Sequence, residues 1–342
     1  MQLTLLIPDL LPPPGAERIV AGTAPFLRRI CGRGTVQHFP AIDTERWLCQ
    51  AFEVEQQQDW PVAALTALLD GLPAESGNWL RADPVHLQLQ RNRTLVLAAP
   101  ALEITAAEAD SLADTLDRHF SPEGIRLNAV HPTRWYLAHP ETADVIAPSL
   151  SAVAGRPLPR TQTPGRWHRW LTECQMLLHE HPVNIAREQR GAPPVNSLLL
   201  WGGGTHPAVP GRHFTQVWST NPLAIALAAQ SNAEYGEPPG TAAAWLAARS
   251  NTNTAAAHHL VILEQAHHAA RYEGPDSWMQ TVSAMEDGWF APLWAALGNT
   301  LTALDIVATN PEQCLRISLR PSDRMKFWRR TPDWSTLTGV RE

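Results

Sequence analysis

The stretch 196–207 reads NSLLLWGGGTHP. A short, continuous apolar run bounded by turn formers predicts a strand buried on both faces. Three glycines at its carboxyl end allow a close backbone approach and leave N–H groups that can cradle an anion. The stretch carries no GxxxxGK[ST] loop and does not match GxGxxG, so neither nucleotide signature applies. In open α/β sheets ligands bind beyond the carboxyl ends of strands. Gly202, Gly203 and Gly204, with Asn196 at the strand's start, therefore form a candidate ligand cradle. A plain tight turn is the alternative.

Around that strand the pattern alternates. Residues 3–7 read as an apolar strand closed by Pro8 and Asp9, followed by a Pro-rich loop. Residues 24–31 and 60–69 carry helical spacing. Further along, 224–229 and 241–248 read as helices, 259–264 as a strand, 277–297 as a long helix and 304–308 as a strand. Such alternation predicts an α/β fold, a mostly parallel sheet with helices on both faces. The texture differs between 78 and 195. Short strands are expected at 85–90, 94–98, 126–130 and 135–137, and a helix from 105, where Thr105 and Glu108 form a capping signature. A second helix begins near Arg166 and stops at Pro182, and 155–165 reads as a linker. The expected organisation is a core of 1–77 and 196–342, interrupted by an α+β subdomain of 78–195.

Composition narrows the function. The 342 residues are 44% hydrophobic and only 18% charged, with 14 Trp, 30 Pro and a net charge of −6. A chain this acidic lacks the basic footprint of a nucleic-acid binder or a polybasic membrane anchor. No apolar run is long enough for a transmembrane helix. The amino-terminal run has no basic flank or small-residue cleavage site, so it is read as a strand rather than a signal peptide. Cys31, Cys49, Cys174 and Cys314 are scattered without CxxC spacing, as in a cytoplasmic protein without structural zinc.

Two further sets could carry chemistry. In HEHPVNIARE (179–188), Asn184 and Arg187 fall on one helical face and could clamp a phosphate or carboxylate. The plainer reading pairs Arg187 with Glu180 or Glu188. In LEQAHHAARYEG (263–274), Glu264 and His268 are four apart and would share a helical face, where carboxylate and imidazole could hold a divalent metal, manganese or zinc, with Asp9. An ordinary solvated pair is the alternative. There is no GxSxG nucleophile.

The run HPVNIAREQRGAPPVNSLLLWGGGTHPAVP resembles the archaeal-type cofactor-independent phosphoglycerate mutases of the alkaline phosphatase superfamily. They carry a similar HPxNxxRxxxG passage followed by an apolar strand and WGxG. It is also similar to a bacterial branch of RpfE-type regulatory proteins, as are WLRADPVHLQLQRN and ITAAEADSLADTL. The resemblance spans about residues 79 to 310 and implies an alkaline-phosphatase-like core with an inserted subdomain, two divalent metals and a Ser or Thr nucleophile. It places Asp9 at the family's first metal ligand and Glu264 to His268 at its D-x-x-x-H segment. The later Asp–His pair is replaced by Thr309–Asn310–Pro311, and WLCQAFEVEQQQDW offers no nucleophile. Two-metal phosphoryl transfer needs cations on the attacking and leaving oxygens. The expectation is therefore a catalytically degenerate, cytoplasmic regulatory or ligand-binding protein with no cofactor, taking a phosphorylated small molecule or a protein partner. The alternative is an active metal-dependent phosphomutase or phosphohydrolase using Asp9, Glu264 and His268.

Overall fold

The structure is a computed structural model that describes residues 1–13, 24–74, 76–91, 93–139, 141, 144–159, 165–211, 213–248 and 257–330. Parts of the Pro-rich loop after Asp9 and of the 155–165 linker lie outside these residues. Among the described residues there are twelve strands: β1 (Gln2–Leu6), β2 (Thr35–Phe39), β3 (Asn78–Gln90), β4 (Arg93–Leu97), β5 (Arg126–His131), β6 (Arg134–His139), β7 (Ser197–Gly204), β8 (Gln216–Trp218), β9 (Glu234–Gly236), β10 (His258–Ile262), β11 (Ala303–Thr309) and β12 (Cys314–Leu319). The chain forms two compact units, Met1–Phe52 with Pro210–Glu342, and Glu53–Val209.

In the first unit a seven-stranded sheet runs β2-β12-β11-β1-β10-β8-β9. The five strands from β11 to β9 are parallel, while β12 and β2 extend the edge as antiparallel partners. β1 beyond Gln2 and the whole of β11 are buried, Thr4 and Asp305 included, which is why both read as mainly apolar runs. One face packs Leu5, Ile7, Val261, Leu304 and Ile306 against Trp245, Trp278 and Trp289. The fold class expected from the alternation is therefore present. The long helix expected at 277–297 divides into Pro275–Met285, a wide turn at Glu286–Phe290 and Ala291–Ala296. Glu286 opens the wide turn. Its carboxylate accepts hydrogen bonds from the amides of Phe26 and Leu27, which open helix Pro25–Arg33, a helix with no side-chain cap of its own.

The second unit is antiparallel, with order β4-β3-β6-β5 and β7 paired to β3. Helix Ala106–Phe120 starts with the expected capping box between Thr105 and Glu108. The glycine-bearing strand corrects the expected organisation. Asp83 stands opposite Leu199 and Trp79 opposite Gly204, so β7 lies beside β3 rather than in the parallel sheet. Helix Val62–Leu69 packs on the same pair of strands, so residues 53–77 and 196–209 belong with the second unit. A strand buried on both faces reads the same in either kind of sheet, and only its partner distinguishes them.

Candidate functional site

The second unit holds Asn184, Arg187, Asn196 and the three glycines, and each is occupied by the protein itself. Asn184 is buried in helix Pro182–Gln189, donates to the carbonyls of Leu178 (2.7 Å) and Val195 (2.8 Å), and accepts from the Val195 amide. It ties the helix to the chain entering β7. Arg187 has no exposed side-chain surface. Its Nε donates to Pro193 O at 3.0 Å, Nη1 to Glu108 Oε2 at 2.9 Å, and Nη2 to Leu102 O. Its carboxylate partner is thus neither Glu180 nor Glu188 but the capping residue of helix Ala106–Phe120. Burial works against the charge on Glu108, but hydrogen bonds from Thr105 and Arg190 and the charge of Arg187 outweigh it, lowering its pKa to about 2. Asn196 uses both side-chain atoms on the Leu87 backbone, prolonging the ladder between β3 and β7.

The glycines do serve a close approach, but the approaching group is the chain itself. A Cβ on Gly204 would lie 2.7 Å from Gln57 Oε1 and 2.8 Å from Pro61 Cβ, and one on Gly202 (φ +64°) 3.1 Å from Val62 Cβ. The anion at the strand end is the chain's own carboxylate, since Asp59 Oδ2 accepts from the Gly202 amide at 3.3 Å. Gln57 Oε1 takes the Thr205 amide at 2.8 Å. The expected cradle is filled by residues 57–62.

The first unit holds Asp9, Glu264 and His268 at the carboxyl ends of β1 and β10. Asp9 adopts a left-handed backbone (φ +53°), with its amide on Thr309 O and its carbonyl receiving Trp278 Nε1. Those two bonds fix its carboxylate, 6% exposed, against His267 Nδ1 at 2.7 Å and Arg271 Nε at 2.9 Å. Burial opposes charge on His267, but the hydrogen bond and charge of Asp9 more than compensate and raise its pKa. Arg271 is 3% exposed, and its Nη1 is buried without a hydrogen-bond partner.

Neither other expected ligand joins Asp9. Glu264 accepts from Asn221 Nδ2 at 3.0 Å and Thr220 Oγ1 at 3.2 Å. His268 faces Glu273 at 3.3 Å, both half exposed. At the end of β11, Asn310 Oδ1 accepts the amides of Glu312 and Gln313, while Thr309 Oγ1 lies 3.2 Å from Thr44 Oγ1. Among the described residues no three His, Cys, Asp or Glu side chains converge as a metal site would require. A divalent ion also needs open carboxylate oxygens, and Asp9 presents its own to a guanidinium and an imidazole. This donor set does not fit a metal.

Arg271 and Thr44 are the residues sequence reading missed, while His267 stood in the 263–274 motif but only its neighbours Glu264 and His268 were given a role. His267 stands on the short helix Gln265–His268 that follows the carboxyl end of β10, a position that could have singled it out. Arg271 lies 262 residues from its partner and gave no local signal. Thr44 opens helix Thr44–Ala51, capped by Asp43, just upstream of the stretch 47–60.

The fold defines a class, a mixed α/β protein built on a mainly parallel sheet with a second, antiparallel unit. No protein-family model matches the chain. The 2,3-bisphosphoglycerate-independent phosphoglycerate mutase of Thermococcus kodakarensis is 41% identical over 56 residues, and that of Pyrococcus furiosus 38% over 56. Each match covers 16% of this chain and 13% of the relative's length. Among solved structures, the PH0037 protein from Pyrococcus horikoshii superposes with TM-score 0.54 at 15% identity, covering 93% of this chain and 87% of that one. The cofactor-independent phosphoglycerate mutase from Thermoplasma acidophilum gives 0.48 at 14% identity, over 94% and 90%. Over that 56-residue passage the chain is similar to the phosphoglycerate mutases, and in fold it is similar to the PH0037 protein.

Proposed function

We propose that this phosphoglycerate-mutase-like protein has lost metal-dependent phosphoryl transfer and works as a cytoplasmic regulatory or anion-binding module, in the manner suggested by its resemblance to RpfE-type proteins. The observation that carries this reading is the capture of Asp9 by Arg271 and His267. A guanidinium is a permanent cation of fixed geometry, so it neutralises Asp9 without the exchangeable coordination sites a metal would supply. Thr309 is engaged with Thr44 and Asn310 with the amides of Glu312 and Gln313, which adds support. Four buried thiols without disulfides fit a reducing compartment. The test is turnover of 3-phosphoglycerate and of a generic phosphoester with added manganese or zinc. No turnover above a blank is expected. Turnover that disappears in Glu264→Ala would overturn the proposal.

A further inference from the structure

Within the first unit, a cavity of about 330 Å³ lies between helix Thr44–Ala51 and the antiparallel edge of the sheet. Strand alternation decides what faces it. On β12, Leu315 and Ile317 point into the core, so Cys314 and Arg316 point the other way, and Val307 stands opposite Arg316 in the ladder. On the helix, Arg46 and Gln50 are four apart and Trp47 and Gln50 three apart, so all three present one face. Phe39 and Ile42 close the cavity from the end of β2.

The charge of this wall is one-sided. Arg46 and Arg316 line it and no carboxylate does, in a chain of net charge −6. Arg316 gives one bond to Asp305 at 2.9 Å and is 46% exposed. Among the described residues the Arg46 guanidinium has no carboxylate partner, and it is exposed. Trp47 is half-buried and Phe39 exposed, so two aromatic rings stand beside two guanidiniums. The volume sits at the lower end of small-molecule sites, which run from about 300 to 1,000 Å³.

We propose that this cavity binds a small planar aromatic anion of one or two rings, its acidic group met by Arg46 and Arg316 and its ring by Trp47. Guanidinium forks match carboxylates, and the aromatic and aliphatic walls reward desolvation of a flat ring. The inference rests on the cavity alone and stands whether or not phosphoryl transfer is lost.

The test is calorimetric titration of the full chain with 1-naphthoate and its uncharged counterpart 1-naphthamide. Saturable one-to-one binding of naphthoate is expected, weakening as salt rises. Arg46→Gln and Trp47→Ala should each lower affinity roughly tenfold, as should replacing naphthoate by naphthamide, the scale of one lost charge-assisted contact. Arg46→Gln alters only an exposed side chain, so its folding serves as the control. Absence of saturable naphthoate binding, equal affinity for naphthamide, or unchanged affinity in folded Arg46→Gln would overturn the proposal.

Discussion

Replacing Arg187 by alanine distinguishes a structural tie from a ligand clamp. The side chain spans three parts of the second unit: the capping box of helix Ala106–Phe120, the carbonyl of Leu102 and the carbonyl of Pro193. Removing one partner of a buried ion pair costs about 3–5 kcal/mol. Here Glu108 keeps Arg190 at 2.5 Å and Thr105, which moves the ionic part toward the lower end. Two carbonyls lose a donor, each worth about 1–3 kcal/mol where water cannot replace it. A total of about 5 kcal/mol follows even at the lower end of each range, and at roughly 2–4 °C per kcal/mol for a domain of this size it lowers the melting point of the second unit by about 10–20 °C. Thermal unfolding followed by near-ultraviolet circular dichroism reads the shift. Hydrogen exchange should show lost protection in helices Ala106–Phe120 and Pro182–Gln189. A loss below about 1 kcal/mol with unchanged protection would refute the reasoning and return Arg187 to the role of an anion clamp.

Gly204→Ala should destabilise the same unit by about 1–3 kcal/mol, because the added methyl meets Pro61 and Gln57 at under 3 Å; urea unfolding at the wild-type pH checks it. Gly202→Ala adds left-handed backbone strain of roughly 1–2 kcal/mol to a milder contact. Glu108 also gives the unit a pH dependence. Its folded pKa of about 2 lies below its ordinary 4.5, so its contribution is complete above that ordinary value and is lost as pH falls toward 2. The urea midpoint of the wild type should therefore fall across that window more steeply than that of Glu108→Gln, and parallel slopes would contradict it.

Local chemistry was legible in the sequence and partner choice was not. The Thr105–Glu108 cap is written in four consecutive residues, and the central parallel strands β1, β10 and β11 announce themselves as mainly apolar runs, whereas the three-residue strands β8 and β9 did not. Helix Thr44–Ala51, edge strand β2 and its neighbour β12 escaped: β2 is largely exposed and carries little apolar pattern, and β12 and the helix are too short for their periodicity to stand out. The glycines signalled a close approach correctly, but nothing local says whether a ligand or helix Val62–Leu69 approaches. Arg187 was singled out for its charge, yet Glu108, its partner, lies 79 residues away. The same holds for Asp9. Its place at the end of β1 was legible, while the residue that neutralises it stands on a turn after β10 and is brought there only by the sheet.

The central claim is that Asp9 is neutralised by Arg271 and His267 rather than by a metal ion. Calorimetric titration of manganese and of zinc into the purified protein tests it directly. The account predicts no stoichiometric uptake, and no difference between the wild type and Asp9→Asn. One or more equivalents bound by the wild type and lost in Asp9→Asn would contradict it.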